Sequence, residues 1–300
     1  MSSHPKHFSR KELPFNQQMK SFWEESGFLI IDDFYSENEC NEVRKRADVL
    51  IKKFNPSSHR SVFNTKQQEH VDDNYFLESG DKIRFFFEEA AFDEKGNLTN
   101  SIELLINKIG HAMHDLDPVF KKFSNRNELN DIAKAIDIKS PKLIQSMYIF
   151  KQPRIGGEIV CHQDSTFLYT KPESTVGFWV SLEDATKENG CMFATQGGHK
   201  GPLRKLFVRE NDHMIMKTLD NTPFEEMDTV LEAKKGTLIL LHGRLPHYSC
   251  KNNSEKSRHT YTLHVIDDTC EYSRFNWLQR PSNMPLKGFI DFEKENYSRL

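Results

Sequence analysis

Hydrophobic positions change their rhythm along this chain. In the first half they recur at three- and four-residue steps, the period of a helix with one buried face. "FNQQMKSFWEES" predicts a short amphipathic helix, and "GFLIIDDF" (residues 27–34) a buried strand. Ser36 followed by Glu39 is a capping-box pattern. It opens a helix over about residues 37–54, with Val43, Ala47, Leu50 and Ile51 at helical spacing. Residues 56–80 are polar and predict a loop. "DKIRFFFEEAAF" is dense in rings and charge and ends near the turn "DEKGN". Ile102, Leu105, Ile106, Ile109, Met113 and Leu116 form a stripe that predicts a core-facing helix over residues 101–116. Residues 128–138 predict another short helix.

From about residue 143 the texture is different. Short β-rich runs alternate with turns: "LIQSMYIFKQP", "TFLYTKP", "VGFWVSLEDA", "CMFAT", "KLFVRE", "TLILLHG", "HYSCKNN" and "HTYTLHVIDD". Short strands at this spacing argue for a sandwich, barrel or jelly roll. The expected class is mainly β with flanking helices. No composition break divides the chain, so one domain is expected over residues 1–300. Its helical part at about 15–140 would buttress a β core at about 143–270.

Composition narrows the function classes. A chain of 300 residues has ample length for a buried core, and its 23 phenylalanines point to a core or pocket built from rings. A net charge of −3 and a pI of about 6.5 give no electrostatic footprint for nucleic acid. No run approaches the roughly 18 apolar residues of a membrane span. "MSSHPKHFSRKELPF" has no apolar signal region, so secretion is not expected. Cys40, Cys161, Cys191, Cys250 and Cys270 are odd in number and widely spaced, which fits a reducing compartment better than a disulfide framework. The chain ends Ser298–Arg299–Leu300, close to the peroxisomal Ser-Lys-Leu address; peroxisome or cytoplasm is therefore expected.

Two His-x-Asp triplets carry candidate metal chemistry. His70–Val71–Asp72 lies in a polar stretch without a strand signal. His162–Gln163–Asp164 has strand-like flanks, "GEIV" and "STFLY". On a strand, residues i and i+2 face the same way, so His162 and Asp164 can share one ion. A two-histidine, one-carboxylate facial triad needs one more histidine and leaves positions open for substrate and oxygen. The candidates are His199, His242, His247, His259 and His264. A hairpin turning at Asn252–Asn253 would set His247 opposite Arg258, with Ser249 on the same face. One surface then presents an imidazole, a hydroxyl and a guanidinium, which selects His247. The planar fork of Arg258 suits the far carboxylate of a chelating keto acid. "STFLY" is expected to continue the strand, with Phe167 and Tyr169 walling the substrate side and Cys161 a small buried neighbour facing away from His162.

Longer stretches carry a resemblance. "YFLESGDKIRFFFEEAAFDEKGN", "INKIGHAMHDLDPVF", "QSMYIFKQP", "GGEIVCHQDSTFLYT", "LEDATKENGCM" and "LHGRLPHYS" with "SRHTYTLH" resemble the phytanoyl-CoA dioxygenase family of iron(II)- and 2-oxoglutarate-dependent oxygenases, over about residues 22–280. The resemblance implies a double-stranded β-helix core, a jelly roll of cupin-like form. It implies Fe(II) held by His162, Asp164 and His247. It implies 2-oxoglutarate held by Lys108, Met147, the His162–Gln163–Asp164 edge, Trp179, His247, Ser249 and Arg258. The implied reaction turns 2-oxoglutarate and O2 into succinate and CO2 while hydroxylating a small molecule, with ascorbate as a reductant. An acyl-CoA or lipid-like substrate, as in peroxisomal fatty-acid α-oxidation, is the finer alternative. Arg204, Lys205 and Arg209 are the candidates for CoA phosphates. The chain departs from the family at Gln196–Gly197–Gly198 before His199, where Pro-Gly-Ser-His is frequent; this bears on the substrate side. A zinc hydrolase, or a protein that senses 2-oxoglutarate without turnover, are the readings from other classes.

Overall fold

A computed structural model describes residues 5–57, 59–63, 73–210 and 213–289. The His70–Asp72 triplet and the Ser298–Leu300 tripeptide lie outside the described residues. Two antiparallel sheets face each other. The larger has eight strands: His7–Ser9, Phe28–Asp32, Leu238–His242, Val176–Ser181, Arg258–Asp267, Pro141–Lys151, Ile106–His111 and Ile83–Phe87, in spatial order. The smaller has four, in the order Thr229–Leu231, Met192–Ala194, His247–Ser249 and Ile159–His162. Among the named strands of the described residues the pairing that departs from antiparallel is His7–Ser9 beside Phe28–Asp32, and Val62 adds an isolated parallel bridge to Phe87. This is the jelly-roll sandwich expected from the β-rich runs, and among the described residues no helix is long and apolar enough to cross a membrane.

Alternation sorts the large sheet's two faces. In Arg258–Asp267 the odd residues Tyr261, Leu263 and Val265 join the core under the helices. The even residues Arg258, Thr262 and His264 border a cavity between the sheets. Register aligns these inward positions in rows. Thr262 lies between Trp179 and Met147; Lys151 is opposite Arg258; Gln145 and Gly177 flank His264. Helices Gln17–Ser26, Glu37–Lys53, Pro118–Ser124 and Asn127–Ala135 cover the outer face with Met19, Val43, Ala47, Phe120 and Leu129. A buried leucine-sized side chain contributes about 1.5–3 kcal/mol, so this layer supplies much of what holds the sheet in place.

Three expectations fail, each for a physical reason. Residues 101–116 are not one helix. A single turn, Ile102–Leu105, leads into the strand Ile106–His111, and a second turn follows at Met113–Leu116. The apolar stripe reflects a strand paired on both sides, with Pro141–Lys151 and with Ile83–Phe87. Being inside a sheet overrides a helical period. The proposed hairpin at Asn252–Asn253 does not pair His247 with Arg258. His247 pairs with His162 and Ala194 in the small sheet, while Arg258 pairs with Lys151 in the large one. The connection crosses the sandwich, and the Asn252 amide bonds the Lys151 and Lys256 carbonyls at 2.9 and 2.7 Å. "STFLY" does not extend the strand either: Asp164–Thr166 is a 3-10 turn.

The capping box is present as predicted. Ser36 Oγ accepts from the Glu39 N–H at 3.3 Å, and the Ser36 N–H donates to Glu39 Oε2 at 2.9 Å. Replacing Ser36 with Ala is expected to cost about 1 kcal/mol of stability. Chemical denaturation at unchanged slope checks this.

Candidate active site

The small sheet brings the first two site residues together. His162 ends the strand Ile159–His162 and lies opposite His247 in register, with ring centroids 4.3 Å apart. Asp164 follows in the 3-10 turn, which is anchored where the Ser165 N–H donates to the Gly243 carbonyl at 2.8 Å. The Asp164 Oδ1 atom is 3.5 Å from His162 Nε2 and 3.7 Å from His247 Nε2. Their ligand atoms all lie within 4.8 Å of one another, and this is the one such group of three or more among the described residues.

Both imidazoles are oriented from behind. Nδ1 of His162 meets the Val160 carbonyl, and Nδ1 of His247 the Leu245 carbonyl, each at 2.9 Å. A backbone acceptor puts the proton on Nδ1, so each Nε2 presents its lone pair to the space shared with Asp164. Burial, then the neighbouring His162, pushes the His247 imidazole down to about 4, which keeps it neutral as a ligand. Burial by itself would raise the Asp164 carboxyl. The imidazoles packed around it, His264 and His247 foremost, hold it well below the usual carboxylate range.

The large sheet holds Asp164 from the opposite side. Asp164 Oδ2 is 3.2 Å from His264 Nε2, and the Gln145 amide nitrogen is 3.0 Å from His264 Nδ1. A Gln donor at Nδ1 leaves the proton on Nε2, where it can be given to Asp164. The approach needs the missing side chain of Gly177, because a Cβ there would stand 3.1 Å from Asp164 Oδ2.

A cavity of about 390 Å³ opens between the sheets over this triad. Lys108, Met147, Gln163, Trp179, Ser249 and Arg258, each expected at the site, all border it. Arg258 is 2 % exposed and has no ion-pair partner among the described residues. Its Nη1 reaches Thr260 Oγ1 at 3.4 Å, its Cζ sits 5.7 Å from the Trp179 ring centre, and its Nε is unpartnered. Burial brings the Arg258 guanidinium down to about 10. Lys108 is likewise buried, on the strand Ile106–His111. It stands over the Phe63 ring at 3.4 Å, with burial holding its amine well below its ordinary value. Ser249 is held by Lys151 Nζ at 2.9 Å, and the same amine, which burial brings down to about 6, meets the Gly157 and Cys250 carbonyls. Gln163 faces away from the triad's shared space. Its amide donates to the Arg244 and Pro202 carbonyls at 2.7 and 3.1 Å and accepts from the Arg204 N–H at 2.9 Å. It therefore ties the Asp164 turn to the segment that leads into His247.

The other histidines separate cleanly. His199 and His242 form a tilted pair with ring centroids 5.0 Å apart, with Trp23 beside His242. His259 faces the helices and bonds the Tyr148 hydroxyl at 2.9 Å. Phe167 borders the cavity, whereas Tyr169 is engaged through its backbone with Asn276. Cys161, expected to be buried and turned away, is half-buried and borders the cavity too. Three residues escaped the sequence reading of the site, Gln145, Lys151 and Thr262, and His264 was named only as a candidate metal ligand. Alternation would have found them, since they share parity with Met147 or Arg258 on strands already expected.

A profile of the phytanoyl-CoA dioxygenase (PhyH) family matches residues 23–260. The chain belongs to the phytanoyl-CoA dioxygenase family. A phytanoyl-CoA dioxygenase from Arabidopsis thaliana is 47% identical over 266 residues, covering 88% of this chain and 93% of that protein. Phytanoyl-CoA dioxygenase domain-containing protein 1 from Bos taurus is 39% identical over 280 residues, covering 90% of this chain and 96% of its own. Among solved structures, the α-ketoglutarate-dependent carbocyclase SnoK of nogalamycin biosynthesis superposes with a TM-score of 0.61 at 15% identity, covering 93% of this chain and 94% of that one. That likeness concerns the fold, and this member of the phytanoyl-CoA dioxygenase family shares its two-sheet frame.

His264 and Gly177 generate a prediction. Replacing His264 with Leu, or Gly177 with Ala, is expected to weaken metal binding roughly 10- to 100-fold through Asp164. Competition with a chromophoric chelator measures it. Unchanged affinity in both variants would show that Asp164 needs no support from the large sheet.

Proposed function

We propose that this chain is an iron(II)- and 2-oxoglutarate-dependent dioxygenase that hydroxylates an apolar small molecule. The observation that carries this reading is one cavity containing both a His-Asp-His triad and a buried arginine without a carboxylate partner. Two imidazoles and a carboxylate on one side of an ion suit iron(II) in a facial set. The fit to a dicarboxylate rests on Arg258, whose buried charge lacks a counterion, and on the Ser249 hydroxyl beside it. When bound, iron would activate O2, the oxidant, with 2-oxoglutarate as the co-reductant: the keto acid would be oxidised to succinate and CO2, taking one oxygen atom, and the other would enter a substrate C–H bond.

The chain's own residues divide the remaining work. His162, Asp164 and His247 hold the metal. Arg258 and Ser249 take the far carboxylate, and Lys151 keeps Ser249 in place. Trp179 and Met147 wall the keto acid's path. Lys108, from its aromatic cage, adds a second amine donor toward it. Gln163 acts through the backbone that carries the ligands. Because Asp164 fills the carboxylate position, no ligand place is left for a halide, so hydroxylation is the expected outcome. A zinc hydrolase would have no use for the uncompensated Arg258.

Phe76, Phe207 and Trp277 belong to one apolar cluster that borders the cavity, and would exclude water from whatever sits against it. Arg204 and Lys205 border the same space. This combination favours, as the finer reading, an acyl-CoA hydroxylated beside its thioester. The Ser298–Arg299–Leu300 tripeptide would fit a peroxisomal setting for that reaction. We place the whole activity in one domain spanning the sandwich and its helical cover.

Anaerobic addition of iron(II) and 2-oxoglutarate should give a visible charge-transfer band, and admitting air should release succinate. Asp164→Ala is expected to abolish both; succinate release at the wild-type rate from that variant would refute the assignment. Arg258→Gln removes a buried charge partner worth about 3 kcal/mol. It should raise the KM for 2-oxoglutarate about 100-fold with metal affinity unchanged. Acyl-CoAs of increasing branching, tested for stimulated succinate release, decide the substrate; no stimulation by any of them sets the acyl-CoA reading aside.

A further inference from the structure

Between the triad and Arg258 the floor of the cavity is made by the strand Arg258–Asp267. Alternate residues of a strand lie about 6–7 Å apart on one face, so Arg258, Thr260, Thr262 and His264 form a ladder along it. The two ends of this ladder are already engaged: His264 reaches Asp164, and Arg258 leans along the strand until Nη1 meets Thr260 Oγ1 at 3.4 Å. The guanidinium therefore stands near the Thr260 row and beside Trp179. Thr262 is the rung between that guanidinium and the metal ligands. It borders the cavity, is 5 % exposed, and its hydroxyl has no hydrogen-bond partner. Its register partners are Trp179 and Met147 on either side.

A buried hydroxyl without a partner costs about 1–3 kcal/mol. Threonine hydroxyls normally escape that cost by bonding nearby backbone, yet here the strand carbonyls are committed to the neighbouring strands. Valine would fill the same space in a sheet at no such cost. Thr262 thus borders the space that a molecule joining the triad to Arg258 must cross, with its hydroxyl enclosed and unpartnered among the described residues.

We propose that Thr262 is a further binding residue for the keto acid, its hydroxyl donating a hydrogen bond to the bound 2-oxoglutarate between the metal ligands and Arg258. This rests on the dioxygenase reading of the site. Thr262 works with Arg258 and Ser249: those two secure the far carboxylate, and Thr262 restrains the molecule nearer the metal. A hydrogen bond to a charged or strongly polar acceptor contributes about 1.5 kcal/mol or more, which corresponds to about tenfold in affinity.

The test is calorimetric titration of 2-oxoglutarate into the full chain loaded with manganese(II) as a redox-inert metal, for wild type, Thr262→Val and Thr262→Ser. Thr262→Val keeps the shape and the β-branch, so the strand should fold. Its 2-oxoglutarate Kd is expected to rise about tenfold, its manganese Kd to stay as in wild type, and Thr262→Ser to stay close to wild type. Equal 2-oxoglutarate affinity in Thr262→Val and wild type overturns the role of Thr262 and leaves the dioxygenase reading standing. A tenfold loss shared by Thr262→Ser overturns it as well, because packing of the methyl would then be the cause. Absence of 2-oxoglutarate binding in wild type removes the dioxygenase reading, and this inference with it.

Discussion

The close approach of the two sheets at Asp164 is the constraint on which the rest depends. One carboxylate faces two ways: Oδ1 toward the imidazoles of the small sheet, Oδ2 toward His264 of the large one. A buried carboxylate is tolerated only with partners on every side. Asp164 obtains them by joining the sheets, which is possible because Gly177 leaves room. The site and the sandwich are thus one electrostatic unit. Displacing either sheet would leave a charge stranded in a dry interior.

Around that unit the lining is of two kinds. Arg258, Lys151 and Ser249 are buried polar groups. Phe76, stacked on Trp277 at 4.4 Å, belongs to a group of rings that also meets the Lys108 amine. Arg258 and Lys151, both basic, are maintained differently. Lys151 satisfies its Nζ with carbonyls and a hydroxyl, whereas Arg258 keeps an unpartnered nitrogen. The first has a fixed structural task; the second remains open for an anion.

Much of the architecture was legible in the chain. The Ser36–Glu39 box, the buried strand 27–34 and the β runs after residue 143 follow from local rules of capping and alternation, and those rules hold wherever neighbours do not interfere. The helix expected over residues 101–116 shows the limit: a stripe of apolar residues cannot tell a helix from a strand that is paired on both sides. The triad emerged from a triplet and a distant histidine, and the phytanoyl-CoA dioxygenase likeness supplied Lys108, Met147 and Trp179. His247 and Arg258 were each chosen correctly as cavity residues by way of a hairpin that does not exist. They meet across the sandwich, because the chain between them passes from one sheet to the other.

The sequence by itself determined most of the strands after residue 143, which side chains share a face of each, and that two imidazoles, a carboxylate and an arginine stand at positions suited to metal and anion chemistry. These are consequences of period and residue type, which act over a few neighbours. The tertiary structure alone decided which strands pair and which sheet each belongs to. That pairing set His162 opposite His247, gave Asp164 its second partner in His264, turned Gln163 away to the backbone, and left Thr262 at the cavity with its hydroxyl unpartnered. The physical reason is that pairing between distant strands is fixed by burying both faces of the large sheet at once, a condition on the whole chain that no local window contains.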